Sequence, residues 1–341
     1  VKLYNVKYMI DLHDTLLTFD THIDIPWPDQ NDAWTENTSR KFDTLKAHKG
    51  GLKAVCLAAY IPQGSRDENG HEEAWQRVQA MLDVITRLNG KKADIQAKVC
   101  HGSKDIKKAV EAGSIAIVPA IENGYALGDK PERIEFLAQK YGVRYMTLTH
   151  NGHNLLADAA IARSDLNDAS TLHGGLSALG KKTIQIMNKH GVLVDVSHAA
   201  KSTMMQASEI SEVPIFASHS CVRTLCDHPR NLDDEQLDRL KETGGLIQIT
   251  AMSPFLRKGG GATTTDLAQH VAYVADRIGV EHVGVSSDFD GGGGIEGWQS
   301  ALETPNVTLA LEKIGFNKDD ISKIWGGNML KLLNKSEEMK V

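Results

Sequence analysis

The sequence predicts an α/β fold, a (β/α)8 barrel of the TIM type, on three observations. Eight short apolar runs recur along it, amphipathic stretches lie between them, and no linker, repeat or shift of composition divides its 341 residues. Residues 1–341 therefore read as one barrel domain, with an N-terminal extension over 1–17 and C-terminal helices over about 304–335.

The runs are Thr18–Asp24, Leu52–Tyr60, Ser114–Glu122, Arg144–His150, Val192–His198, Pro214–His219, Gly245–Thr250 and His282–Asp288. Several are unbroken and β-branched, as in Ile115-Ala116-Ile117-Val118, the character of a parallel strand covered on both faces. Phe19–Ile25 alternates instead, so His22 and Asp24 point the same way from successive pleats. Between the runs, Glu72–Leu88 carries Trp75, Val78, Met81, Leu82 and Ile85 at helical spacing and stops at Asn89-Gly90. Pro131–Tyr141 opens on proline, and Leu176–His190 ends before Gly191. Asp233–Lys241 and Asp266–Ile278 open on acidic residues that suit a helix N-terminus. A doubly wound open sheet is the alternative. It would carry a glycine fingerprint after its first strand, and none follows Asp24.

A hydrophobic fraction of 41% and a charged fraction of 24% are those of a globular protein. A net charge of −6 argues against nucleic acid or an anionic membrane as partner, since both reward a basic face. No apolar run is long enough for a membrane span. The four cysteines contain no C-x-x-C pair; Cys56 and Cys100 read as buried thiols, and a Cys221–Cys226 disulfide is not indicated.

The chemistry lies in how the runs end. Six of them close on a metal-competent or proton-transfer residue: His22 and Asp24, Glu122, His150, His198, His219, and Asp288. In a barrel all strand C-termini meet at one mouth, so residues distant in sequence converge there. Taken singly, each could be a loop cap; structural histidines would show no bias toward strand ends. Imidazole and carboxylate without thiolate suit Zn2+, with Mn2+ and Co2+ as alternatives. A ligand set of three His with an Asp and a Glu, five in all, is too many for one tetrahedral zinc that keeps a water, and suits two ions sharing a carboxylate and a hydroxide.

At these residues the chain resembles the membrane (renal) dipeptidase family, dinuclear zinc peptidases of the amidohydrolase-like, metal-dependent hydrolase barrels. The motifs are the opening His22-Ile23-Asp24, Ala120-Ile121-Glu122-Asn123-Gly124, Leu148-Thr149-His150, Val194-Asp195-Val196-Ser197-His198, Ser218-His219-Ser220, His228-Pro229-Arg230-Asn231 and Gly284-Val285-Ser286-Ser287-Asp288-Phe289-Asp290-Gly291. The resemblance implies that His22 and Asp24 bind one zinc, His198 and His219 the other, and Glu122 bridges them. It implies that His150 stabilises the tetrahedral intermediate, Arg230 pairs with the substrate carboxylate, and Asp288 carries the proton from the bridging water to the leaving amine. The substrate would be a dipeptide with free termini, with a D-residue tolerated at the C-terminal position. A homodimer is also what the family implies, and it favours export or the cell envelope, with a cytoplasmic location as the alternative.

An Arg fork is the usual device for a carboxylate, and Pro229 stiffens the loop of Arg230; Arg223 competes for the role. Gly291–Gly294 lacks a Lys-Ser/Thr partner and reads as a mouth loop rather than a phosphate cradle. Asp290 could be a second mouth carboxylate, and His153 sits within reach of substrate. Leu155-Leu156-Ala157-Asp158 stands where mammalian members tend to have a Trp, so their substrates do not carry over. An amidohydrolase using a carbamylated lysine is disfavoured, since no lysine closes the third or fourth run. A catalytically silent relative would be expected to have lost a ligand or Asp288, and none is lost.

Overall fold

The computed structural model describes residues 12–25, 33–34 and 39–339. Ten strands follow in chain order: β1 (Phe19–Asp24), β2 (Ala54–Tyr60), β3 (Gly90–Lys92), β4 (Ile95–Val99), β5 (Ile115–Glu122), β6 (Tyr145–Thr147), β7 (Leu193–Asp195), β8 (Phe216–Ser220), β9 (Leu246–Thr250) and β10 (Val283–Ser286). Eight of them pair in parallel in the order β1-β2-β5-β6-β7-β8-β9-β10. The ring closes at a parallel bridge between Ile23 and Phe289, where the N–H of Asp24 donates to Phe289 O (2.9 Å) and that of Asp288 to His22 O (3.0 Å). With helices between the strands, this is the expected barrel.

The eight apolar runs all become barrel strands. β6 and β7 are shorter than their runs because pairing stops at Thr147 and Asp195, before the chain reaches His150 and His198. At β7 the physical reason is local: the Asp195 carboxylate takes the backbone N–H groups of Ser197 and Ser218, 2.9 Å each, which the ladder would otherwise use. The β3–β4 hairpin was not anticipated. Its first strand is wholly exposed and reads Gly-Lys-Lys, which carries no apolar signal; β4 adds in parallel to the start of β5.

Every predicted helix is present, with shifted ends. The helix expected over Glu72–Leu88 spans Glu68–Thr86, because Asp67 caps it a turn earlier by accepting from Gly70 N at 2.8 Å. The others are Arg133–Lys140, Ala178–Lys189, Asp234–Thr243 and Thr264–Ile278. The last two start at capping boxes, Asp233 with Gln236 and Thr263 with Asp266. Pro305–Lys313, Lys318–Ser322 and Asn328–Glu338 follow β10. The final helix sets Met329 and Leu333 against Phe19, Ala54, Leu193 and Phe216, which begin their strands, and so plugs the N-terminal end of the barrel. The opposite end is left open for chemistry. All four cysteines are free and buried.

Candidate metal centre

At the C-terminal mouth a cavity of about 480 Å³ is lined by Asp24, Glu122, His150, His198, Arg230 and Asp288, among others. His22 and His219 lie just beneath, fully buried. His22, Asp24, Glu122, His150, His198, His219, Arg230 and Asp288 therefore meet in one place.

Glu122 is the centre of the arrangement. Its Oε2 lies 3.7 Å from His22 Nε2, and its Oε1 lies 3.0 Å from His198 Nε2, 3.4 Å from His219 Nε2 and 3.8 Å from His150 Nε2. His22 Nε2 also stands 3.3 Å from Asp24 Oδ1, yet neither of these buried atoms has a hydrogen-bond partner. Unsatisfied buried polar atoms facing one another are costly unless something else, such as a cation, sits between them. Three overlapping triads have ligand atoms close enough to hold an ion: His22, Glu122 and His219; Glu122, His150 and His198; His22, Asp24 and Asp288.

The far sides of the imidazoles fit the same purpose. Tyr145 donates its hydroxyl proton to Thr21 O (3.0 Å), so it accepts from His22 Nδ1 at 2.7 Å. Asn151 Oδ1 accepts from His198 Nδ1 at 3.0 Å. With Nδ1 as the donor in each pair, both rings when neutral turn an Nε2 lone pair toward Glu122, as metal-ligating histidines do. The residues present fit a metal.

Backbone strain gathers here too. Of the non-glycine residues with left-handed φ, Asn123 (90°), His198 (66°), Asp288 (57°) and Asp290 (62°) stand at or next to the mouth. Gly291 is needed for space. A Cβ there would collide with Asp288 Oδ1 and Asp24 Oδ2, so the glycine lets two carboxylates approach the chain.

Charge is distributed unevenly. Burial opposes ionisation of Glu122, but His150, His198, His219 and His22 outweigh it and hold its carboxyl well below the usual range. Burial pushes His198 well below the ordinary imidazole value and His219 down to about 3. His22 goes the other way. Burial lowers its pKa, yet Asp24 and Glu122 hold it well above the usual value, so this corner demands a positive charge. Burial, with Asp24 and Glu122 nearby, raises Asp288 to about 8, and burial lowers His150.

Arg230 lies across the cavity, buried, with Nη2 donating to His219 O at 3.3 Å and its guanidinium 5.6 Å from the Phe255 ring centroid. Arg223 is instead half-exposed and pairs with Asp227 at 2.8 Å. Asp290 lines the mouth but spends its carboxylate on the backbone N–H groups of Lys41 (2.8 Å) and Phe42 (3.1 Å). His153 is a brace: Nδ1 accepts from Ala159 N at 3.0 Å and Nε2 bonds Ala169 O at 2.9 Å. Sequence reasoning missed Tyr60, Met252, Phe255, His228 and Asn151 in the cavity wall. Tyr60 had a signal, since it closes an apolar run in register with Glu122 and packs edge-on to His150, with ring centroids 4.8 Å apart.

A parallel barrel with imidazoles and carboxylates gathered at its C-terminal mouth defines the class, a metal-dependent barrel enzyme. Residues 7–341 match the membrane dipeptidase family, peptidase family M19, and the chain belongs to that family. It is similar to Dipeptidase verJ of Clonostachys rogersoniana, 31% identical over 99% of this chain and 88% of that protein. Dipeptidase tcpJ of Claviceps purpurea is 29% identical over 89% of this chain and 71% of its own length. Among solved structures, the probable dipeptidase PvdM from Pseudomonas aeruginosa has a TM-score of 0.91 at 26% identity, covering 98% of each chain. A metallopeptidase from Rhodobacter sphaeroides, liganded with a phosphinate mimic of L-Ala-D-Ala, shares the fold at a TM-score of 0.83 and 21% identity, over 94% of this chain and 99% of that one. The chain is a peptide-bond hydrolase of the metallo-dipeptidase kind.

Proposed function

We propose that the chain is a zinc dipeptidase that hydrolyses dipeptides with free termini at a pair of ions, and that it tolerates a D-residue at the C-terminal position. His22 and Asp24 would hold one ion and His198 and His219 the other, with Glu122 shared. One observation carries this reading: the two oxygens of Glu122 address different histidines, Oε2 toward His22 and Oε1 toward His198 and His219. Imidazole with carboxylate and no thiolate suits zinc. When bound, such a pair supplies Lewis acidity to the scissile carbonyl and makes water acidic enough to lose a proton near neutral pH.

The chain's own groups supply the rest. Arg230 takes the substrate carboxylate, which orients the scissile bond toward Glu122. His150 stands on the cavity wall, where its imidazole can donate to the oxyanion of the tetrahedral intermediate. Asp288, on the cavity wall beside Asp24 and Glu122, accepts a proton from the attacking water as a carboxylate and returns it to the leaving amine as the C–N bond breaks. Tolerance of a D-residue rests on family membership.

A panel of L,L and L,D dipeptides, run with and without a chelator beside metal analysis, tests the reading. Cleavage should vanish with chelator and return with zinc, at about two ions per chain. Metal-replete protein that leaves every dipeptide uncut would sink it, and cleavage of L,L substrates alone would remove the D-residue tolerance.

A further inference from the structure

Beneath the mouth lies a buried carboxylate that this scheme does not use. Asp195 ends β7 with 0% exposure and accepts four hydrogen bonds. Its Oδ1 takes the backbone N–H groups of Ser197 and Ser218, 2.9 Å each, and its Oδ2 takes the hydroxyls of Thr147 and Ser218, 2.6 Å each. β6, β7 and β8 are tied together at this point.

The consequence passes through Ser218, which has a single hydroxyl proton. With that proton given to Asp195, Ser218 offers only lone pairs to His219 Nδ1, 2.8 Å away. The imidazole proton must then sit on Nδ1, which leaves Nε2 bare toward Glu122. Ser197 steadies the same residue, its Oγ accepting the His219 backbone N–H at 3.0 Å. We propose that Asp195 is a positioning residue that sets the tautomer of His219 through Ser218, and with it the affinity of the metal position His219 serves. The inference rests on His219 being a ligand, as proposed above.

The plainer role for Asp195 is to tie three strands, and an amide separates the two. In Asp195→Asn, Oδ1 can keep both backbone bonds, but the nitrogen replacing Oδ2 donates to Ser218 Oγ. The Ser218 proton is then free to turn toward His219 Nδ1 and favour the Nε2–H tautomer, which has no lone pair for a metal. Thr147→Val removes one hydroxyl from Asp195 and leaves the relay intact, so it controls for strand tying.

Chelator competition on the purified full chain, with zinc counted at each step and urea midpoints taken on the metal-free proteins, reads the difference. Asp195→Asn should release one zinc about 10- to 100-fold more readily than wild type and retain the other. Thr147→Val should hold both as wild type does. Wild-type zinc affinity in Asp195→Asn would overturn the proposal, as would zinc loss that simply follows metal-free stability in both variants. The unaltered protein provides a second measurement. Nitrogen-15 shifts of His219 in the metal-free wild type should report the Nδ1–H tautomer, and an Nε2–H tautomer would refute the role. Wild type that binds zinc but cleaves no dipeptide would defeat the functional reading and leave this one standing.

Discussion

Arg230 is a buried guanidinium with no ion-pair partner among the described residues, and its Nε meets no acceptor. Burial lowers its pKa to about 10, so it stays charged at neutral pH and calls for an anion. Arg230→Ala should raise KM for dipeptides about 10- to 100-fold, the scale of one lost charged hydrogen-bond pair, with a smaller change in kcat. Steady-state kinetics check this, and an equal loss on C-terminally amidated substrates would count against carboxylate anchoring. His270 acts on the same loop from behind. The N–H of Val222 donates to its Nδ1 (3.1 Å) and its Nε2 bonds Leu256 O (3.1 Å), so a second ring proton would expel the Val222 bond. Burial lowers its pKa from 6.5 to about 4, and the folded state therefore binds fewer protons than the unfolded one between those values. Stability is fully present above pH 6.5 and lost as pH falls toward 4, to a total of about 3 kcal/mol. His270→Gln should flatten that part of a urea-midpoint profile; an unchanged slope would show that other groups carry it.

Secondary-structure elements matter here through their ends. Six of the eight barrel strands deliver one or two metal-competent groups at or just past their C-termini, and the left-handed residues His198 and Asp288 turn the chain just past β7 and β10 so that their side chains face the cavity. Gly291 belongs to the turn after β10. Gly291→Ala should cost activity and metal affinity together, because the new methyl displaces the carboxylates of Asp24 and Asp288; about tenfold in each is the expected size, read by kinetics and chelator competition. An effect on stability alone would place the turn outside the site. The candidate ligands were legible in the sequence because each closes an apolar run, a placement that a structural histidine has no reason to favour. Tyr60 closes a run as well, a weaker signal because a tyrosine at a strand end is ordinary for packing. Met252 and Phe255, at the short helix Ser253–Leu256, and His228, in the loop after β8, reach the cavity only through the approach that the whole ring imposes.

Across the whole molecule, the two ends of the barrel have different work. The last helix packs Leu333, fully buried, into the N-terminal end, far from the mouth. Leu333→Ala should remove about 2–5 kcal/mol of stability while leaving zinc stoichiometry unchanged, measured by denaturant titration and metal analysis. A change in metal content would mean that the plug is coupled to the site. The hairpin of β3 and β4 was set by pairing with β5, a partner that a linear pattern does not display.

By itself the sequence determined the eight strands, the helices between them and which imidazoles and carboxylates gather at the mouth, because burial period, capping residues and strand-end placement are local properties of a chain. Only the tertiary structure decided which oxygen of Glu122 faces which histidine, which arginine enters the cavity, and that Asp195 lies beneath His219. Those facts depend on closure of the ring at Ile23 and Phe289, which brings residues from β1 and β10 together at distances no spacing in the chain records.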